Sequence, residues 1–320
     1  MNKFAPVPRT LARQPLARQA LPLRTARYAP TIVRAFHNTN PRPSNAAPDR
    51  PRPQPQLLPE FSLRDKVIVV SGGARGLGLV QIEALLEAGA TVHAVDRLPS
   101  PAQDPESSFS QVSRRASELG TLLHYHQVDV RDVPHLNSIF EKIADGAGRL
   151  DGLIAAAGIN FETPAIDYPV DEVERMMSIN FTGCFMTAQA AARQMIRLKQ
   201  PGSILMIASM SATIANRGML APIYNPSKAA VVQLARNLAM EWGEYGIRVN
   251  TLSPGYILTQ MLENLFNEYP ERRGRWAKEN MLGRLSTPSE YRGAAVFLLS
   301  DASSFMTGAD LRIDGGHAAW

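Results

Sequence analysis

Short, nearly continuous apolar segments alternate with longer amphipathic stretches from about residue 60 to the end of the chain. The apolar segments are predicted strands: Val67–Ser71, Thr91–Asp96, Leu122–Val130, Gly152–Ala157, Ser203–Ser209, Arg248–Ser253 and Asp310–Asp314. The stretches between them are predicted helices: Gly76–Ala88, Ser107–Leu119, Val133–Gly146, Val170–Arg197, Pro222–Tyr245 and Pro288–Leu299. Strands that are apolar throughout are buried on both faces, so the pattern predicts a doubly wound α/β domain with a parallel sheet.

Residues 1–59 lack this periodicity and differ in composition. They hold 12 of the 24 prolines and carry ten Lys and Arg against Asp49 alone, a net charge of +9. Arginines spaced among Ala, Leu, Ser and Thr are typical of a mitochondrial transit peptide. The segment from Arg34 to Thr39 resembles a mitochondrial processing pattern with a cut near residues 43 and 44. We therefore expect a folded domain of residues 60–320 in the mitochondrial matrix; a disordered arm that is never cleaved is the alternative.

Charge and composition exclude several other classes of protein. Residues 60–320 carry 24 basic and 28 acidic residues, a net charge of −4, so no nucleic-acid partner is expected. No run of eighteen apolar residues occurs, so we expect no membrane insertion. Cys184 is the one cysteine and is expected in the core. His93, His124 and His126 lie in predicted strands without metal-ligand spacing, so no metal is expected.

The segment Lys66–Gly78, KVIVVSGGARGLG, reads as a strand, a glycine-rich turn and the start of a helix. Gly72, Gly76 and Gly78 lack Cβ atoms, so backbone N–H groups and the N-terminus of the helix could approach a pyrophosphate. Such turns are common, and this signal alone is modest. The turn predicts a dinucleotide site that further motifs must support.

The end of the second predicted strand bears on which dinucleotide binds. Asp96 could accept hydrogen bonds from both hydroxyls of the adenosine ribose and would repel a 2′-phosphate, which favours NAD. Arg75 and Arg97 favour a 2′-phosphate, so NADP remains the alternative.

Three further positions have both a functional and a structural interpretation. Asp129 and Val130 close the third predicted strand, where Asp129 could accept from the adenine amine or cap the helix that follows Asp132. The small residues of LIAAAG, including Ala157 and Gly158, allow a ligand to approach the backbone or allow tight core packing. Asn180 lies on an apolar helix face, so its amide must bond locally or order a water molecule.

The segment YNPSK begins a predicted helix after the fifth strand. Tyr224 and Lys228 are four residues apart and therefore lie on the same helix face. An ammonium group beside a phenol favours the phenolate, which can act as a base near neutrality. A Tyr-x-x-x-Lys match alone is weak, but Ser209 ends the fifth strand and the glycine turn lies upstream. The combination predicts proton-transfer chemistry beside a dinucleotide.

Residues 62–318 resemble the short-chain dehydrogenase/reductase family in several motifs that occur in the family's order. The motifs are SGGARGLG, VDV, AAAG, Asn180, Ser209, YNPSK, RVNTLSPGYILT and the terminal IDGG. Two features depart from the family: Ala155-Ala156 replaces the usual Asn-Asn, and Ser209 precedes Tyr224 by fifteen residues. Ser211, at thirteen residues, is therefore the alternative catalytic serine.

The resemblance implies a seven-stranded sheet in the order 3-2-1-4-5-6-7, a homotetramer and roles for individual residues. Tyr224 would be the acid or base, Ser209 would hold the substrate oxygen, and Asn180 would hold a water molecule beside Lys228. The nucleotide, NAD with NADP possible, would contact Gly72, Arg75, Gly76, Leu77, Gly78, Asp96, Arg97, Asp129, Val130, Ala157, Gly158, Tyr224, Lys228, Ile257 and Thr259.

The segments ASMSA, YNPSK and NTLSPGYILTQML resemble the corresponding segments of fungal polyol dehydrogenases and ketose reductases, among them those that act on D-arabinitol with NAD. The expected substrate is therefore a small polyol or ketose. The candidates that would bind its hydroxyls are Asn160, Glu162, Asn216 and Arg217, under a lid of two short helices within residues 261–282, broken at Pro270 and Gly274. A peripheral helical hairpin is the alternative for this segment. The alternative functions are an NADPH-dependent 3-oxoacyl-thioester reductase of mitochondria and a non-catalytic nucleotide-binding scaffold.

Overall fold

One parallel sheet organises the part of the chain that the computed structural model describes, which comprises residues 58–99, 101 and 104–320. The predicted transit peptide and cleavage site lie outside these residues, except for positions 58 and 59. The strands are β1 Val67–Ser71, β2 Thr91–Asp96, β3 Leu123–Gln127, β4 Gly152–Ala155, β5 Gly202–Ile207, β6 Ile247–Pro254 and β7 Asp310–Ile313. The helices are α1 Gly76–Glu87, α2 Ser108–Leu119, α3 Val133–Ala147, α4 Val170–Met177, α5 Cys184–Arg197, α6 Tyr224–Trp242, α7 Gln260–Glu268, α8 Pro270–Glu279 and α9 Arg292–Leu299.

The strand order is β3-β2-β1-β4-β5-β6-β7, and every neighbouring pair is parallel, as predicted. Alternate residues of β1 enter two different apolar clusters: Val67 and Val69 join one, and Ile68 and Val70 the other. Both faces of the sheet are therefore apolar and need cover. Helices α3, α5 and α6 pack on one face, and α1, α2 and α9 on the other. The order reverses between β1 and β4, where this fold opens a crevice for ligands.

Four strands end earlier than the apolar pattern predicts. The last paired residues are Gln127 in β3, Ala155 in β4, Ile207 in β5 and Ile313 in β7. After β3, β4 and β5 one more backbone hydrogen bond joins the chain to the neighbouring strand, from Val128 N to Asp96 O, from Ala156 N to Ser71 O and from Ala208 N to Leu252 O. Beyond these bonds the chain leaves the sheet as loops. Ser209 and Ala157, predicted inside strands, thus belong to the loops at the carboxyl ends, which form the site.

The predicted helix Val170–Arg197 is interrupted in the structure. A π-helical segment, Ser178–Gly183, separates α4 from α5. Asn180 lies in this segment, and its amide bonds to a loop outside the helix. Gly183 packs so closely on Val130 that an added Cβ would lie 2.6 Å from Val130 Cγ2. These contacts determine the π-helical conformation of the backbone in this segment, and helical periodicity in the sequence does not reveal them.

The two helices predicted within residues 261–282 are present as α7 and α8. Pro270 begins α8, as expected, but Gly274 lies inside α8, so the break predicted there is wrong. A glycine in a helix costs only about 1 kcal/mol relative to alanine. Trp276, which is fully buried in a cluster with Tyr256, Phe266 and Leu285, outweighs that cost. The lid is therefore packed as a small core of its own.

Burial fixes the protonation state of Cys184, which was predicted to lie in the core. Cys184 is 5 % exposed, as expected for a core residue. Burial raises the pKa of its thiol to about 12, against a smaller opposing effect of Lys228. The thiol therefore remains protonated near neutrality and is not a nucleophile.

Of the helices in the described residues, none combines the length and the apolar character needed to cross a membrane.

Three histidines cluster on β2 and β3. His93 Nδ1 lies 2.9 Å from His126 Nε2, and the rings of His93 and His124 stack at 4.6 Å between centroids. Burial, and then the charges of His124 and His126, lower the pKa of His93 to about 3. An unfolded histidine has a pKa of about 6.5. Between these values only the unfolded state binds the proton, so stability falls as the pH falls below about 6.5.

We expect His93→Leu to make the stability of the protein less sensitive to acid. The melting temperature of the wild type should fall more steeply than that of the variant between about pH 7.5 and about pH 5, values that bracket the pKa of unfolded histidine. Thermal melts at both pH values measure the difference. His135→Leu, at an exposed histidine of α3, is the control and should follow the wild type. Equal slopes for wild type and His93→Leu would contradict this explanation.

Candidate active site

The glycine turn between β1 and α1 is too crowded for side chains. A Cβ on Gly72 would lie 2.8 Å from the backbone nitrogen of Ala157, and one on Gly78 would lie 2.3 Å from the carbonyl oxygen of Gly72. Gly72 and Gly76 also have φ of 70° and 61°, a region that favours glycine. No side-chain hydrogen bond from Arg75, the N-cap residue, caps the start of α1. The turn thus presents bare backbone at a helix N-terminus, which suits a phosphate.

The carboxylate of Asp96 is fixed beside this turn. Its two oxygens accept hydrogen bonds from Ala74 N and Leu98 N, each at 3.2 Å. The structure therefore places Asp96 next to the phosphate turn, where an acid can contact the adenosine ribose. Arg75 and Arg97 are both exposed.

Asp129 follows β3 and pairs with a residue that the sequence analysis did not consider. Its carboxylate accepts three hydrogen bonds from the Arg131 guanidinium at 2.6 to 3.1 Å. The hydrogen bond from Arg131 is the largest cause of a lowered pKa at Asp129. The cap of α3 is Asp132, whose side chain accepts from His135 N, so the interpretation of Asp129 as that cap is wrong. Val130 is buried against Gly183.

The amide of Asn180 connects the loop after β4 to the start of α6. Its Oδ1 accepts from Ile159 N at 2.9 Å, and its Nδ2 donates to Ile159 O at 2.9 Å and to Ser227 Oγ at 3.1 Å. Ser227 Oγ in turn donates to Tyr224 O at 2.7 Å. Asn180 is therefore satisfied by residues distant in sequence. Together with Ser227, which sequence reasoning missed, it holds the first turn of α6 in place.

Tyr224 and Lys228 share one face of α6, as predicted, and both line the cavity described below. Lys228 is 6 % exposed, and its Nζ donates to Ile207 O at 2.8 Å. Nζ lies 5.7 Å from the centroid of the Tyr224 ring. A Cβ on Gly158 would approach Nζ to 3.5 Å, so the small residue at this position leaves the ammonium accessible from the cavity. The buried ammonium and the phenol therefore share one wall of the cavity.

The two candidate serines differ in what their hydroxyl groups do. Ser209 begins the short 3-10 helix Met210–Ala212, and its Oγ accepts from Ser211 N at 3.2 Å. Ser211 Oγ donates to Asn216 Oδ1 at 2.8 Å. The proton of Ser211 is therefore committed to the protein, whereas the contact of Ser209 leaves its own O–H available as a donor. This difference favours Ser209 as the residue that contacts a substrate.

A cavity of about 760 Å³ joins these groups at the carboxyl ends of the strands. Its walls include Ser209, Ser211, Tyr224 and Lys228 and extend to the glycine turn at Leu77. Of the other predicted nucleotide contacts, Gly158, Ile257 and Thr259 also line it. Thr259 caps α7 by accepting from Leu262 N at 3.4 Å, as its structural interpretation predicted. Within the described residues no cluster of acidic, His or Cys side chains has the geometry to hold a metal ion.

The four candidates for binding substrate hydroxyls do not lie together. Asn160 and Glu162 line the cavity. Asn216 is buried behind it, where it bonds Ser211, Asn225 and Tyr256. Arg217 is exposed and is not part of the cavity wall, so its predicted role is not supported.

Sequence reasoning missed several residues of the lid wall. Tyr256 stacks on Trp276, with ring centroids 4.3 Å apart and planes inclined by 7°. Burial is the main cause that raises the pKa of Tyr256 to about 12, so this phenol stays neutral. Tyr269 and Arg272 also line the cavity from the lid. The segment therefore covers the site, and the alternative of a peripheral hairpin does not hold.

The structure combines a doubly wound sheet, a crowded glycine turn at its switch point, and a phenol and an ammonium in the adjoining cavity. This combination defines a nicotinamide-dependent oxidoreductase. A family model described as "Enoyl-(Acyl carrier protein) reductase" matches residues 72–318. The chain is 39% identical over 285 residues to "Short chain dehydrogenases/reductase notP'" of Aspergillus versicolor, covering 88% of this chain and 96% of that protein.

Two more similarities agree with this match. D-arabinitol 2-dehydrogenase [ribulose-forming] of Candida albicans is 36% identical over 282 residues, which cover 82% of this chain and 96% of that protein. A crystal structure of a gluconate 5-dehydrogenase from Burkholderia cenocepacia, in complex with NADP and tartrate, superimposes with a TM-score of 0.73 at 30% identity and covers 82% of this chain and 98% of that one. The chain belongs to the short-chain dehydrogenase/reductase family. It is an NAD(P)-dependent dehydrogenase that acts on CH–OH groups, and the alternative of a non-catalytic scaffold is set aside.

Proposed function

We propose that this enzyme interconverts a secondary alcohol of a sugar alcohol and the matching ketose, with D-arabinitol and D-ribulose as the first candidate pair. The observation that carries the proposal is the shared cavity, in which Tyr224 and Ser209 face the same space as the polar side chains of Asn160 and Glu162. A site built to bond hydroxyl groups rejects analogues that lack them. The relative from Candida albicans, named for a polyol substrate, supports the same class.

The residues of the chain divide the work of the reaction. When bound, the nicotinamide ring supplies hydride transfer. In the oxidation direction Tyr224 takes the proton of the alcohol, and in the reduction direction it returns a proton to the carbonyl oxygen. Ser209 donates its free O–H to that oxygen, and Lys228 places its positive charge beside the Tyr224 ring, 5.7 Å from the centroid. Asn180 acts as a positioning residue, because it orders the first turn of α6 through Ser227.

The residues present fit a dinucleotide, since the glycine turn leaves the N-terminus of α1 without a side-chain cap, and such a helix start can bind a phosphate. We propose NAD as the preferred form. The carboxylate of Asp96 is already oriented by Ala74 N and Leu98 N, so it is poised to accept from ribose hydroxyls and to repel a 2′-phosphate. NADP is the alternative, because the exposed guanidinium groups of Arg75 and Arg97 could bind its 2′-phosphate.

A substrate panel crossed with both nucleotides tests the proposal. Pentitols, hexitols and their ketoses are assayed with NAD(H) and NADP(H), and acetoacetyl-CoA with NADPH represents the thioester reductase. We expect the highest kcat/KM for a polyol and ketose pair with NAD(H). Turnover confined to acetoacetyl-CoA with NADPH would replace the proposal by the thioester reductase. Turnover of neither would contradict both.

A further inference from the structure

An ion pair closes the lid side of the cavity. Glu162, from the loop after β4, accepts from Arg272 Nη1 of α8 at 2.7 Å. The side chains are only 18% and 14% exposed, and both line the cavity. The pair is thus more buried than the surface pairs of the lid, and it faces the space where a substrate would lie.

The pair is held in one orientation by its surroundings. The second oxygen of Glu162 accepts from Leu220 N at 3.1 Å. The guanidinium carbon of Arg272 lies 4.3 Å from the ring centroid of Tyr269 and 5.7 Å from that of Trp276. Three parts of the chain therefore fix the pair. The contact of Arg272 with Glu162 uses one of the five N–H donors of the guanidinium. The remaining donors and the carboxylate lone pairs can bond a ligand.

Asn160, on the same loop as Glu162, adds an acceptor to this wall. Its Oδ1 is buried and has no hydrogen-bond partner among the described residues, although the residue lines the cavity. Leaving a buried acceptor unsatisfied costs about 1 to 3 kcal/mol. A hydroxyl group that donates to Asn160 would remove this cost.

We propose that Arg272 and Glu162, with Asn160, determine substrate specificity by binding neighbouring hydroxyl groups at the end of the substrate away from the reacting carbon. A hydroxyl both donates and accepts, so adjacent hydroxyls match a carboxylate beside a guanidinium. The charges of the pair cancel, and Glu268 also lines the cavity, so this side favours a neutral diol over a carboxylate or a phosphate. The inference rests on the proposed function and adds which residues recognise the end of the substrate away from the reacting carbon.

The test compares kcat/KM for the polyol that the wild type oxidises fastest with its analogue deoxygenated at the distal diol, and with the sugar acid of the same length. Arg272→Gln should lower kcat/KM for the polyol about 10- to 100-fold, mainly through KM, as expected for lost hydrogen bonds to a charged group. It should leave kcat/KM for the deoxygenated analogue near its wild-type value. Arg273→Gln is the matched control, because Arg273 lies on the same helix and pairs with Glu263 at 2.9 Å on the surface.

Each result has a defined meaning. If Arg272→Gln lowers kcat/KM equally for the polyol and for its deoxygenated analogue while Arg273→Gln does not, the pair only holds the lid, and the inference is wrong. A wild type that prefers the sugar acid also contradicts it, while leaving alcohol oxidation intact. A wild type that oxidises no polyol removes the proposed function and the inference together. Should Arg272→Gln fail to fold, Glu162→Gln, of nearly the same shape, gives the same comparison.

Discussion

Tyr224→Phe should lower kcat by about 10²- to 10⁴-fold, the range that a positioned acid or base contributes. This corresponds to about 3 to 5 kcal/mol of barrier, at 1.36 kcal/mol for each factor of ten. The reason is that phenylalanine keeps the ring at the start of α6 but has no proton to exchange with the substrate oxygen. Stopped-flow or steady-state absorbance of NADH measures the loss. Dissociation constants for NAD, measured by calorimetric titration, should stay near the wild-type value.

The control for this prediction is a tyrosine outside the cavity. Tyr245 is 47% exposed and ends the 3-10 turn after α6, so Tyr245→Phe should retain the wild-type kcat. If Tyr224→Phe also turns over at the wild-type rate, Tyr224 is not the acid or base. If it loses NAD binding as well, the effect is structural and the chemical role is unproven by this variant.

Gly78→Ala should disable the nucleotide turn. The added Cβ would lie 2.3 Å from the carbonyl oxygen of Gly72, and a backbone atom cannot rotate away as a side chain can. Overpacking of this kind costs about 1 to 3 kcal/mol of folding stability. The same shift moves the N-terminus of α1 away from the phosphates, so we expect NAD affinity to fall at least about tenfold, or 1.4 kcal/mol. Thermal melts and calorimetric titration measure the two effects.

Gly146→Ala is the matched control. Gly146 lies in α3, is exposed, and has open space at its Cβ position. Replacing a helical glycine by alanine in such a place stabilises a protein by about 0.5 to 1 kcal/mol. NAD affinity should not change. Wild-type NAD affinity in Gly78→Ala would show that the turn does not hold the phosphates.

The elements that local rules govern were predicted well. Continuous apolar segments and glycine turns predicted the seven strands, and the family resemblance predicted their order. The four-residue spacing of Tyr224 and Lys228 predicted that they lie one helical turn apart. Asp132, Thr259 and Pro270 begin helices, as their residue types suggest. These features depend on residues a few positions apart, so a single sequence contains the information that they need.

Contacts across long separations were not predictable in this way. The sequence left Ser209 and Ser211 as alternatives, and the contact of Ser211 with Asn216 favours Ser209. The π-helical segment depends on Asn180 reaching Ile159 and on Gly183 meeting Val130. Periodicity reports which face of a helix is apolar, but it does not report which loop a buried amide will bond.

The sequence by itself determined the class of fold, the glycine turn and the placement of Tyr224 one helical turn from Lys228, because strand, turn and helix propensities act locally. Only the tertiary structure decided what surrounds that pair. Glu162 and Arg272 are 110 residues apart; the sequence offered Glu162 as a candidate for binding hydroxyls but did not indicate Arg272 as its partner. The folding of α8 over the ends of the strands brings them together and buries them, and burial is what turns two ordinary charges into a wall of the substrate cavity.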